Sequence, residues 1–141
     1  MTTSDASASS HEFVSHHSAV DESEFALTVG FPRDPAEEDS LDGLILQRGR
    51  DPQEDVRGIQ GVYVEIPIQR HVAHGGITEA MLGRDRFILR FDEATAHKMG
   101  SLREILVHFD LPEDDFHVIR DGLRFVFTGC SCYREEHGNA G

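Results

Sequence analysis

Tryptophan is missing from this 141-residue chain, and cysteine, tyrosine and proline occur only two, two and five times. The two cysteines, Cys130 and Cys132, stand one residue apart in GCSCYREEHG. That spacing excludes the multi-bridge framework that substitutes for a core in small secreted domains. Cys-x-Cys followed by His137 supplies three soft ligands, one short of a closed structural zinc set. Residues 130–141 therefore read as a flexible tail with two free thiols. No apolar run approaches the roughly 20 residues that a helical membrane span needs. The opening MTTSDASASSHEFVSHHSAV has neither the basic nor the apolar region of a secretion signal, which makes the cytoplasm the expected location.

Basic residues are also few. Thirteen Lys and Arg face 26 Asp and Glu, for a net charge of -13, and that sign disfavours nucleic acid and anionic membranes as partners. It favours a basic protein. Residues 1–55 hold 13 acids against Arg33, Arg48 and Arg50, a surplus of ten, whereas residues 56–141 hold 13 acids against ten bases, a surplus of three. Acidic loops also serve solubility with no partner at all. The sequence lacks a phosphate-cradling glycine loop, a nucleophile elbow and a Cys/His pair in an identifiable order. Nine histidines invite a search for a metal site or a base. His71 and His74 fall on opposite faces of an extended chain, however, and His97, His108 and His117 read as surface or boundary positions. No catalytic residue, metal or cofactor is expected.

What the chain does contain is two-residue hydrophobic alternation. Residues 1–22, rich in Ser and Ala with His11, His16 and His17 in no periodic pattern, read as disordered. EFALTVGF then places Phe25, Leu27, Val29 and Phe31 on one face of a half-buried strand. A second strand lies around Leu44–Gln47. In GVYVEIPIQ, Val62, Val64, Ile66 and Ile68 oppose Tyr63, Glu65 and Gln69, and Pro67 removes a backbone donor, the mark of an edge or bulge.

GGITEAMLGRDRFILRF, residues 75–91, reads as a structural hairpin. Ala80, Leu82, Phe87, Leu89 and Phe91 face inward, and Ile77, Met81 and Ile88 lie opposite among Glu79, Arg86 and Arg90. Gly83 supplies the permissive backbone of its turn. Asp92 and Gly100 bracket a short helix as N-cap and left-handed stop. Ile105, Val107 and Phe109 share one face of a further strand. Phe116, Ile119, Leu123 and Val126 form the stripe of a closing helix that Asp110 caps, with Pro112 and Glu113 in its opening turn. The expectation is one α+β domain over residues 23–129, with a mainly antiparallel sheet of about five to six strands. The short helix and the C-terminal helix pack on one face of it.

The succession LILQRG, GVYVE, HGGI (74–77), LGRDRFILRFD (82–92), MG (99–100), VHFDL (107–111) and LRFVFTG (123–129) resembles the Immunity protein 10 family of bacterial polymorphic toxin systems, over about residues 25–129. Each piece alone is an ordinary strand, turn or helix pattern, and the specificity lies in their order. Ile66-Pro67-Ile68 and the long Ser-rich start depart from the family pattern. The resemblance implies a protein without catalytic activity that binds and neutralises a toxin encoded beside it. It supplies no catalytic residues to carry over. The rival classes are a small metal-dependent enzyme and a generic acidic interaction module.

For a basic toxin, with a nuclease among the candidates, two acidic clusters offer contacts. Glu37, Glu38, Asp39 and Asp42 lie in the first loop, and Asp110, Glu113, Asp114 and Asp115 lead into the last helix. The second cluster has a competing explanation, because a helix dipole stabilises carboxylates at its N-terminus. The first loop therefore carries more weight, with outward residues of the hairpin as apolar anchors.

Overall fold

The computed structural model describes residues 10–32, 43–49, 62–66 and 71–136. Among them, alternating apolar residues build ten strands in two sheets of five. The first sheet is an antiparallel meander of β2 (Ala19–Glu22), β3 (Ala26–Pro32), β4 (Gly43–Gly49), β5 (Tyr63–Ile66) and β6 (His71–His74). The second has the order β1-β9-β8-β7-β10. Its centre is antiparallel: β7 (Ile77–Leu82), β8 (Arg86–Phe91) and β9 (Glu104–Phe109). Its edges, β1 (Ser10–Ser15) and β10 (Tyr133–Glu135), run parallel to β9 and β7. With helices α1 (Glu93–Lys98) and α2 (Glu113–Val126), the chain is α+β as expected. Its strands divide between two layers instead of forming one sheet.

The layers exist because each sheet has one apolar face, and the cheapest cover for such a face is another. Val29, Phe31, Leu46, Val64 and Ile66 from the meander share one buried cluster with Phe87, Leu89, Ile105 and Val107 from the second sheet. Phe31 stacks on Phe87 and Phe109 at ring separations of 5.9 and 5.8 Å. Helix α2 packs against β2, β3 and β4 and adds Ile119, Leu123 and Val126 to the cluster. Gly122 permits that approach, since a Cβ there would lie 2.9 Å from Val29 Cγ2 and 3.4 Å from a Val20 methyl.

Two glycines make the crossing from β6 into the second sheet. Gly75 and Gly76 both have φ of +77°, and a Cβ on Gly76 would collide with the Thr95 side chain. Asp92 caps α1 by accepting from Thr95 N at 2.7 Å. Gly100, at φ +74°, closes the helix through Ser101 N donating to Ala96 O at 2.8 Å and Gly100 N to His97 O at 3.3 Å. This is the paired bonding of a Schellman stop.

Several expectations are corrected. Residues 1–22 are not disordered from Ser10 onward: they contain β1 and β2. Phe13 is 4% exposed, and Ser15, fully buried, shares its hydroxyl between the carbonyls of His17 and Pro32 where the chain crosses between sheets. Nor are Cys130 and Cys132 free thiols in a tail. They are joined in a disulfide, and β10 follows directly, with Ala80 N donating to Cys132 O at 3.0 Å. The turn after α2 brings their Cα atoms to 5.3 Å, within bridging range.

Phe25 lies in the β2–β3 turn and not in the strand, which begins at Ala26. A register shift between Ile77 and Glu79 sets Ile77 opposite the buried Phe91, so Ile77 packs against the core instead of sharing the outer face with Met81. Gly83 does not use a left-handed backbone. Strand β5 lies inside its sheet rather than at an edge, and it closes at Ile66; Pro67, Ile68 and Gln69 lie outside the described residues. The N-cap of α2 is Pro112, with no side-chain cap bond, so Asp110 does not cap it and Glu113 closes no capping box.

The placement of Phe13 has a measurable consequence. Phe13→Ala should cost about 3–5 kcal/mol through lost burial and a residual cavity, read as a lower urea midpoint. Val14→Ala, on the outer face of the same strand, should stay within about 0.5 kcal/mol of the parent.

Candidate functional site

Two kinds of surface stand out: the outer face of the second sheet, and the exposed acids. In the second sheet, strand register aligns Glu12, Leu106, Ile88, Met81 and Arg134 in one row across β1-β9-β8-β7-β10. The central three are apolar, but Ile88 is buried and Leu106 and Met81 are half-buried. Charged side chains at the ends of this row and in the neighbouring rows lie around them. Arg90 donates to Glu79 at 2.6 Å and reaches Glu104 at 3.4 Å, Arg134 pairs with Glu79, His108 meets Glu12 at 2.6 Å, and Arg86 lies 3.2 Å from Glu136. The Arg90 and Arg134 guanidiniums hold the Glu79 carboxyl below the usual carboxylate range. The hairpin's outer residues are thus a roof of mutual ion pairs, not open apolar anchors.

A second network ties β10 to α2. Arg124 donates to Glu135 through two bonds of 2.7 and 2.8 Å, a bidentate fork, and the Tyr133 hydroxyl donates to the same carboxylate at 2.8 Å. Burial first, then the Glu135 contact, pushes the Tyr133 phenol far above its ordinary value. The Arg124 guanidinium lowers the Glu135 carboxyl. Tyr133 also stacks on Phe127 at 5.3 Å. These groups fix the C-terminal strand in place, and their partners are all internal.

Of the acids named from the sequence, Glu37, Glu38, Asp39 and Asp42 lie outside the described residues. Asp110, Glu113, Asp114 and Asp115 are all exposed at the start of α2, the last three in its first turn. There the unpaired backbone N–H groups and the helix dipole favour negative charge. Glu113 also lies 3.3 Å from His117 Nε2. Arg84, from the β7–β8 turn, donates to Leu111 O at 2.9 Å and sits 4.7 Å above the Phe116 ring, locking the hairpin tip against this helix start.

Among the described residues the histidines do not converge. His71 pairs with Ile66 on the inner face and packs beside Gly100, whereas His74 pairs with Tyr63 on the outer face. Among the described residues, no three His, Cys, Asp or Glu side chains are placed to hold a metal ion; His137 lies outside them. A cavity of about 110 Å³ is lined by Glu93, Ala96, His97, Ser101 and Arg103, well below the roughly 300–1,000 Å³ of ordinary small-molecule sites. No helix among the described residues is long and apolar enough to cross a membrane.

The sequence model of the family described as Immunity protein 10 matches residues 14–117. The chain belongs to that family. No curated protein matches it. The motifs that carry the resemblance now have physical roles in this Immunity protein 10 member. HGGI makes the glycine crossing between the sheets, and LGRDRFILRFD is the turn and second strand of the central hairpin with the Asp92 cap. MG pairs the buried Met99 with the helix-stopping Gly100.

What the alternation pattern missed is Phe25, which is 75% exposed at the tip of the β2–β3 hairpin. A signal was available: Ser23 is a turn-forming residue, and its Oγ accepts from Phe25 N and Ala26 N, both at 3.1 Å.

The carboxylate networks fix the sign of the pH response. Glu79, Glu135 and Asp92 all have folded-state values below their references of 4.5, 4.5 and 3.8. Their contribution is present above those references and is lost as pH falls through the lower folded values. The urea midpoint should therefore decline as pH drops below about 4.5. In Glu135→Gln the midpoint should start lower at neutral pH and decline less steeply.

Proposed function

We propose that this protein binds a cognate bacterial toxin encoded nearby and neutralises it in the cytoplasm by occlusion, without catalysis. Membership of the Immunity protein 10 family is the observation that carries the reading. The net charge of -13 supports a basic toxin domain, a nuclease being the class whose substrate cleft presents a positive surface to cover. On this reading the chain contacts neither nucleic acid nor membrane directly.

The acids assigned to that contact are Glu37, Glu38, Asp39 and Asp42 of the first loop, with Asp110, Glu113, Asp114 and Asp115 as a second field at the start of α2. The α2 group is accounted for in part by the helix dipole, so the loop is given the larger share. Exposed charge pairs add little affinity singly. Their summed field raises association rates by about 10- to 1,000-fold, a gain that salt removes.

Co-expression of the neighbouring toxin with this chain should restore survival, and the two should co-purify. If neither rescue nor a complex is found, the immunity reading falls. Reversing the charges of Glu37, Glu38, Asp39 and Asp42 together should slow association at low salt with the thermal midpoint unchanged. An undiminished association rate would remove the acidic-loop mechanism and leave neutralisation standing.

A further inference from the structure

Phe25 is the most exposed of the large hydrophobic side chains among the described residues, at 75%. Val14, Val72 and Val118 are 42–53% exposed, but each sits in a regular strand or helix whose other face is buried, an ordinary place for a half-exposed valine. Phe25 differs. It occupies a two-residue turn in which Ser23 N donates to Ala26 O at 2.9 Å, and the Ser23 hydroxyl binds the backbone on either side of it. The backbone there is not left-handed, so any side chain would fit. Neither the turn nor the core needs a phenyl ring at this position.

The backbone that carries the ring is held in place. Strands β2 and β3 pair up to Glu22 opposite Leu27, and Val20 packs on α2, so the tip is short and braced from below. A phenyl group has two side-chain torsions, so seating it in a partner costs little conformational entropy. Aromatic residues are enriched at interfaces for this reason and for their apolar area. Glu24 precedes it in the turn and Asp21 lies opposite Thr28 in the adjoining strand pair; neither makes an ion pair among the described residues, and no Lys or Arg occurs in the sequence before Arg33.

We propose that Phe25 is an apolar anchor that inserts into a pocket on the toxin rimmed by Lys and Arg, with Asp21 and Glu24 meeting the rim. This rests on the toxin-binding reading above and adds a location to it. The anchor and the rim act on different rate constants. Burial of the ring slows dissociation, whereas exposed rim charges govern approach.

The test uses the full chain and the toxin encoded beside it, with association and dissociation rates measured at two salt concentrations. Phe25→Ala should dissociate about 10- to 100-fold faster, with an association rate close to wild type and an unchanged Tm. Phe25→Leu should recover most of the residence time. The double variant Asp21→Asn, Glu24→Gln should instead associate more slowly, chiefly at low salt. If wild type binds and Phe25→Ala dissociates at the wild-type rate, the anchor is overturned while the immunity reading stands. A Tm lowered by several degrees in Phe25→Ala would make the ring structural and also overturn it. Failure of wild type to bind the toxin would overturn both.

Discussion

The fold depends on two apolar sheet faces covering each other, and Phe31 is where that constraint is most concentrated. Its ring contacts Phe87 of the central hairpin and Phe109 of β9, so one side chain from the meander touches two strands of the opposite sheet. Dispersion between close-packed rings is small per atom pair but accumulates over a stacked face. The hydrophobic transfer term, about 1.5–3 kcal/mol for fully burying a phenylalanine, applies to all three rings only if the sheets stay in contact. The remaining features maintain that contact. Ser15 pins the first crossing between sheets, Gly75 and Gly76 make the second, and α2 lays Ile119, Leu123 and Val126 against the meander.

Much of this was legible in the residues because the strands at the centre of each sheet carry strong alternation. Val62, Val64 and Ile66, or Phe87, Leu89 and Phe91, announce an inward face without tertiary information. The edges announce much less. In β1 the inward residues are His11, Phe13 and Ser15, a single large apolar side chain in a Ser-rich segment, and in β10 they are Tyr133 and Glu135. Both are held largely by parallel backbone pairing to a strand that is remote in sequence, and composition does not encode that. Glu135 is half-buried because Arg124, eleven residues earlier on α2, supplies its counter-charge, a partner visible only once the helix has been docked.

The errors at Phe25 and Ile77 have a common cause. Periodicity assumes an unbroken strand, and each residue sits where that continuity ends: Phe25 before β3 has begun, Ile77 across a register shift from Glu79. A one-residue change of register reverses which face a side chain occupies. The same count that called Phe25 buried placed Ile77 outside, and both came out reversed. The candidate apolar contacts therefore move from the hairpin's outer face to the β2–β3 tip.

Charge leads to the same relocation by an independent route. On the outer face of the second sheet, Arg90, Arg134, Arg86 and His108 are each engaged with a carboxylate of the same face. A partner approaching that face would have to separate existing pairs before forming new ones, so the exchange nets little. The first-turn acids of α2 are partly compensated by the helix they begin. Asp21 and Glu24 have neither an ion partner among the described residues nor a helix terminus to complement, and they belong to the same hairpin end as a ring that the fold leaves in water. Uncompensated charge beside unburied apolar area is the combination whose free energy improves most on contact with a basic, pocketed surface, and on this molecule the two coincide at the β2–β3 turn.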